Sequence, residues 1–161
     1  MWSLRWSTRN APFVPISGHS IKEIVRSLEL RQGSVCYDLG CGDGRVLFAA
    51  HRIEPGAKYY GIDKHLFPYL LARLKGWHTG VPVQFRKEDV FRASFADATH
   101  LYTYLHTDFL NALLPKLVQE LRPGTRMVSA DFCFKDKKPV ATKEFAIPGR
   151  MKTTTLYVYE F

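Results

Sequence analysis

Three glycines at alternate positions, Gly40, Gly42 and Gly44, follow a short apolar run that ends in an acid, in the string VCYDLGCGDGR from Val35 to Arg45. A loop without side chains at those points lets a small ligand press against bare backbone. Val35, Cys36, Tyr37 and Leu39 suit a buried strand, and RVLFAAHR from Arg45 to Arg52 suits a helix with one apolar face. Strand, glycine loop and helix together make a small-ligand site; a glycine-rich turn between two core elements is the plainer alternative. Spacing narrows the ligand. A dinucleotide fingerprint is G-x-G-x-x-G, whereas the third glycine here comes one residue early, and no G-K-[ST] is present to hold phosphate and magnesium.

Further acids fall where such a site needs them. AKYYGID (Ala57 to Asp63) reads as a second strand, and its Asp63 lies about 20 residues past the glycines, the distance at which an acid meets ribose hydroxyls. Asp63 is alternatively a cap for the following helix, HLFPYLLARLKGW, with Pro68 in the first turn. VPVQFRKED (Val81 to Asp89) is a third strand; in a nucleotide-like pocket the Asp89 side chain and the Val90 backbone would meet the amino group and ring edge of an adenine, and an exposed loop carboxylate is the alternative. Five of the fifteen carboxylates, Asp38, Asp43, Asp63, Asp89 and Asp131, sit at or just past strand ends, leaving ten elsewhere against 23 Lys and Arg. The site end is acidic and the exterior basic, which favours an acidic macromolecule or is simply a solvated face.

The elements that position these residues alternate. Met1 to Ser17 forms an irregular arm held extended by Pro12 and Pro15, a tether or a lid over the site. HSIKEIVRSLEL (His19 to Leu30) has helical apolar spacing and precedes the first strand. THLYTYLH (Thr99 to His106) is a fourth strand; Asp108 caps a helix, DFLNALLPKLVQEL, in which Pro115 implies a kink or a broken first half. TRMVSADFCF (Thr125 to Phe134) is a fifth strand carrying Asp131. Two strand-like runs, Pro139 to Ile147 and Thr153 to Phe161, joined at Pro148-Gly149, then read as an antiparallel hairpin at the edge of a parallel sheet.

The 161 residues, 46% hydrophobic and with net charge +8, support one soluble domain with its own core, residues 1–161. No apolar run reaches the roughly 20 residues of a membrane span, and the N-terminus does not read as a secretory signal. Cys36, Cys41 and Cys133 form no CxxC pair, so reduced thiols in a cytoplasmic protein are expected, without zinc or any other metal.

D-L-G-C-G-D-G resembles motif I of the class I S-adenosylmethionine (SAM) dependent methyltransferases. More narrowly, PFVP, VCYDLGCGDGR, GID, LYTYL and LLPKLVQELRPGTRMVSADF resemble the small archaeal protein lysine methyltransferases and the ATP-synthase c-subunit lysine methyltransferases. Those carry P-[YF]-V-P, D-x-G-x-GDGR and L-x-P-x-L-x-x-E-L-x-P-G-x-R-V-V-S. The resemblance implies an α/β fold, a Rossmann-like sheet that is mostly parallel with a C-terminal antiparallel hairpin and helices on both faces. It implies SAM as cofactor, bound by Asp38, Gly40, Cys41, Gly42, Asp63, Lys64, Asp89 and Val90, with Asp38, Gly40 and Gly42 at the methionine end. Two departures touch the acceptor: Ile16 follows Pro15 where relatives often have Thr or Ser, and Ala130 precedes Asp131 where they have His.

The chemistry suits the charge. SAM has a net positive charge, so aspartates at strand ends attract it. Methyl transfer is an in-line displacement on an activated donor, which needs alignment, desolvation and a neutral nucleophile rather than a metal. For a lysine of a protein substrate, Tyr104 would orient the amine and Asp131 would hold the incoming ammonium. The alternatives are an RNA or small-molecule methyltransferase, and a nucleotide-binding module without catalysis. Against RNA, no N-P-P-Y-like string follows the fourth strand, and no catalytic cysteine sits there.

Overall fold

The computed structural model describes residues 17–148 and 153–161; the PFVP arm, Ile16 and the expected lid lie outside the described residues. The elements are α1 (Gly18–Leu28), β1 (Val35–Leu39), α2 (Arg45–Ile53), β2 (Lys58–Asp63), α3 (Leu66–Thr79), β3 (Val83–Lys87), β4 (His100–Thr103), α4 (Thr107–Glu120), β5 (Arg126–Ala130), β6 (Ala141–Ala146) and β7 (Thr153–Glu160). They build a seven-stranded sheet in the order β3-β2-β1-β4-β5-β7-β6. Its first five strands are parallel, and β7 runs antiparallel to both β5 and β6. The expected α/β sheet and final hairpin are therefore present, with β7 inserted beside β5 and β6 left at the edge.

Strand alternation decides which residues face which layer. In β1, Tyr37 and Leu39 enter a core against α4, with Leu101, Leu110, Leu113, Leu117 and Met127. Cys36, on the opposite face, joins Ile24, Val25 and Leu28 of α1 and Leu47 and Ala50 of α2, together with Tyr59, Tyr102 and Val128. Both faces are covered, so the central strands are apolar on both sides and polar only toward their C-terminal ends. Between β1 and β4 the strand order reverses, and a crevice forms outside the strand ends at such a switch point. The glycine loop after β1 lies there.

Some local details differ from the sequence expectations. Ser17 caps α1, its Oγ accepting from the Ser20 N–H at 3.2 Å. α4 is capped by His106, whose Nδ1 accepts from the Asp108 N–H at 3.5 Å, so Asp108 is inside the first turn rather than the cap. α4 also runs unbroken through Pro115, which lies on its exposed side, where the lost backbone donor faces solvent.

Candidate active site

Four N–H groups of the glycine loop are used within the chain. The Gly40 and Cys41 N–H groups both donate to the Ile62 carbonyl, at 2.8 and 3.0 Å, and the Gly44 N–H to the Cys41 carbonyl at 2.9 Å. The Gly42 N–H donates to Asp63 Oδ2 at 3.0 Å. A phosphate cradle needs such N–H groups aimed at a ligand; here they hold the loop onto β2. Glycine is required at Gly44 for packing: φ is +76° and a Cβ would lie 2.6 Å from the Phe85 ring. Gly40, at φ +80°, is exposed on the open side and has Leu105 beside it.

Two aspartates of this segment have opposite fates. Asp43 is buried and takes Arg45 in a two-pronged pair, at 2.9 and 2.7 Å, and Lys75 of α3 at 2.5 Å. Burial alone would raise its carboxyl, but the hydrogen bonds from Arg45 and Lys75 bring it down to about 2. Asp38 is 3% exposed and receives no hydrogen bond or ion pair among the described residues. Burial pushes its carboxyl well above the usual carboxylate range, and the nearby Asp63 and Asp43 add to the effect.

Asp63 links three segments. Besides the Gly42 N–H, its Oδ1 accepts from the His65 N–H at 2.9 Å, and its carbonyl accepts from the Glu88 N–H at 3.1 Å. Asp63 thus braces the glycine loop and the turn into α3, but the N-cap position of that helix is His65, so Asp63 lies before the helix rather than capping it. Lys64 is half-buried in that turn, without an ion pair among the described residues. Asp89 Oδ1 accepts from the Phe91 N–H at 3.0 Å and its carbonyl from the Arg92 and Ala93 N–H groups. The Val90 side chain is buried in the core, leaving its backbone as the part that can meet a ligand. Cys41 is likewise turned inward: its Sγ stands 2.8 Å from where a Cβ on Gly61 would be. Burial pushes the Cys41 and Cys36 thiols up, so neither is a nucleophile.

Across the crevice, Tyr104 and Asp131 are brought together. Tyr104 Oη donates to Asp131 Oδ2 at 3.3 Å, and Asp131 Oδ1 accepts from the Thr155 N–H at 3.1 Å. Asp131 has φ 60°, left-handed backbone uncommon outside glycine, and its own N–H is fixed by the Thr155 carbonyl at 2.7 Å. Phe132 lies between the rings of Tyr104 and His106, with centroids at 5.6 and 5.2 Å. Phe132 and His106 are additions of the structure: nothing in their local spacing signals them, since the rings meet only once β4 and β5 are paired. Tyr102 is a third. It stands beside Asp38 in the β1–β4 register, and its buried hydroxyl has no hydrogen-bond partner among the described residues. Burial, then Asp38, Tyr104 and Asp131, push that hydroxyl well up, so it stays a neutral donor.

Comparison with known proteins places this arrangement. The ANTKMT methyltransferase domain matches residues 38–141. The chain belongs to that family. Among relatives, it is 30% identical to a protein-lysine N-methyltransferase of Saccharolobus islandicus, over 92% of this chain and 94% of the relative. It is 34% identical to the mouse adenine nucleotide translocase lysine N-methyltransferase, covering 81% of this chain but only 57% of that longer protein. A crystal structure described as an RNA methyltransferase from Salinibacter ruber, bound to S-adenosyl-L-homocysteine, aligns with TM-score 0.81 and 31% identity, covering 91% of this chain and 93% of that one. This ANTKMT-family chain is thus a SAM-dependent enzyme with the class I methyltransferase fold.

Its strand ends suit that cofactor on their own terms. SAM carries no phosphate, and the loop donors are already used. SAM does carry an ammonium and a sulfonium, and Asp38 is a buried carboxylate with no cation paired to it among the described residues. Among the described residues no three His, Cys, Asp or Glu side chains cluster as metal ligands, and no helix is long and apolar enough to cross a membrane.

Proposed function

We propose that this family member, acting as one catalytic domain in the cytoplasm, methylates lysine side chains of protein substrates. The observation that carries the reading is the Tyr104–Asp131 pair, 3.3 Å apart and walled by the Phe132 and His106 rings, on the strand ends next to the glycine loop. A carboxylate and a hydroxyl framed by aromatic faces match an alkylammonium group. The names of the Saccharolobus and mouse relatives point to the same acceptor.

On this reading Asp38 takes the cofactor's ammonium, Gly40 to Gly42 offer bare backbone to its methionine end, Asp63 keeps lone pairs for the ribose, and Asp89 with the Val90 backbone meets the adenine. When bound, SAM supplies a methyl group already activated on sulfur. Asp131 Oδ2 holds the lysine ammonium at the mouth of the crevice, and Tyr104 Oη orients the nitrogen. The acceptor Nζ must be neutral to attack; removal from water next to the cofactor's positive sulfonium would lower its hold on the proton. Leu105 beside Gly40 and the Phe132 ring beside Tyr104 are the apolar groups that would keep water from the line of transfer.

The Salinibacter structure's description and the net charge of +8 favour a second reading, RNA as acceptor. Incubation with methyl-labelled SAM, a lysine-rich protein set and total RNA separates the two. The lysine reading expects label that survives RNase, is lost to protease, and maps to lysine Nζ by mass spectrometry. Label confined to RNA overturns it.

A further inference from the structure

α3 is packed inside out. Toward the sheet it presents small residues at every fourth position: Pro68 and Ala72 are buried, and a Cβ on Gly76 would meet the Phe85 ring at 3.5 Å. Its large apolar residues point to solvent, with Leu66 at 53%, Phe67 at 75%, Leu70 at 52%, Leu74 at 59% and Trp77 at 83% exposure. Residues 66, 70, 74 and 77 lie on one helical stripe, with Phe67 at its border. A helix stabilised only by burial against its own sheet would have the reverse arrangement.

The charges around the stripe identify what covers it. α3 has no acidic residue. Arg73 and His78 flank the stripe, Lys64 precedes the helix, and exposed Lys87, on the same strand face as Phe85, ends the neighbouring edge strand. None of Lys64, Arg73 and Lys87 is ion-paired among the described residues, while Lys75, on the inner side, is bound to Asp43. A second copy of the chain packed on this stripe would set these cations against themselves. Residues 1–16 offer no better match, since their charged side chains are Arg5 and Arg9. An apolar arc with Trp and Phe, free of acids and bordered by cations that have no ion pair among the described residues, fits a surface with hydrocarbon beneath a negative layer.

We propose that α3 is a peripheral membrane-docking helix that lies on anionic lipid bilayers. Leu66, Phe67, Leu70, Leu74 and Trp77 enter the headgroup boundary while Arg73 and Lys87 meet lipid phosphates. Because α3 starts three residues after Asp63, docking sets the cofactor end of the crevice close to the bilayer. The inference does not depend on which acceptor the enzyme uses.

Co-sedimentation with vesicles of phosphatidylcholine, with and without phosphatidylglycerol, tests it on the full chain. The wild type is expected to bind the phosphatidylglycerol vesicles, and added salt weakens this binding. L70E/L74E weakens it at least about tenfold. Val118→Glu, an exposed apolar site on α4, leaves it unchanged. Melting temperature and SAM binding of L70E/L74E should match wild type, and Trp77→Ser provides a second, milder loss. The proposal is overturned by absent binding to phosphatidylglycerol vesicles, or by equal binding of L70E/L74E. A wild-type dimer that L70E/L74E dissolves, without vesicle binding, makes the stripe a self-interface instead. A lower melting temperature for L70E/L74E, again without vesicle binding, shows that another part of the chain covers it.

Discussion

The crevice has two halves built on different principles. On the β1–β2 side, the N–H groups of all three loop glycines and Cys41, both Asp63 oxygens and the Asp43 carboxylate are satisfied from within the chain, and Asp38 is a buried acid without a partner among the described residues. On the β4–β5 side the groups are half-exposed and aromatic, and the backbone at Asp131 is held in a left-handed conformation by Thr155. The first half is a fixed mould with one unmet charge, which suits a cofactor that is the same in every turnover. The second offers faces and lone pairs to an incoming chain, which suits a substrate that must enter and leave. Rigidity is thus placed where the ligand is invariant.

Substitutions in each half should separate accordingly. Asp38→Asn is expected to have the largest effect, weakening SAM about 100-fold while leaving the acceptor's KM near wild type. The same change should raise the melting temperature of the cofactor-free protein. A carboxyl whose folded pKa is raised loses stability as pH climbs above the ordinary carboxylate range, and Asn removes that cost. Asp43→Asn should do the reverse, lowering stability by about 2 kcal/mol at neutral pH with little change in SAM affinity. Because the Asp43 carboxyl is held down to about 2, its contribution is complete above the ordinary carboxylate value and fades as the pH falls toward 2. Acid denaturation curves of Asp43→Asn should therefore lack that part of the wild-type slope.

Asp131→Asn should lower kcat/KM for a lysine peptide about tenfold with the SAM affinity intact, since Asn tolerates left-handed backbone and keeps the shape. Equal loss in both ligands would erase the division into halves. Tyr102→Phe is expected to have the smallest effect. It should stabilise the cofactor-free protein by about 1 kcal/mol by deleting a buried orphan hydroxyl, and weaken SAM only a few-fold, as read by thermal shift.

The two halves also differ in how far the sequence reveals them. The β1–β2 half is written in contiguous strings, VCYDLGCGDGR and GID, because strand, loop and helix are adjacent in the chain. What the strings conceal is partner choice. The ring of strand-end aspartates suggests a pocket lined by several free charges, yet Asp43 is neutralised by Arg45 and by Lys75, 32 residues away. The β4–β5 half depends on residues far apart in the chain. Tyr104 and Asp131 are visible as strand-end polar groups, but Phe132, His106 and Thr155 join them only through the β4–β5 and β5–β7 pairings. Element order and strand direction were readable from periodicity, whereas the outward stripe of α3 was not. Its apolar residues recur at helical spacing whichever side faces the sheet, and only the burial of Pro68 and Ala72 shows the orientation.

Calorimetry of SAM binding in two buffers of different ionisation enthalpy, at about pH 5.5, tests the claim that Asp38 awaits the cofactor's positive charge. Binding a cation beside a carboxyl whose pKa is raised drives that carboxyl to ionise. The account predicts net proton release from the wild type and its loss in Asp38→Asn. The same proton count in both proteins would contradict it.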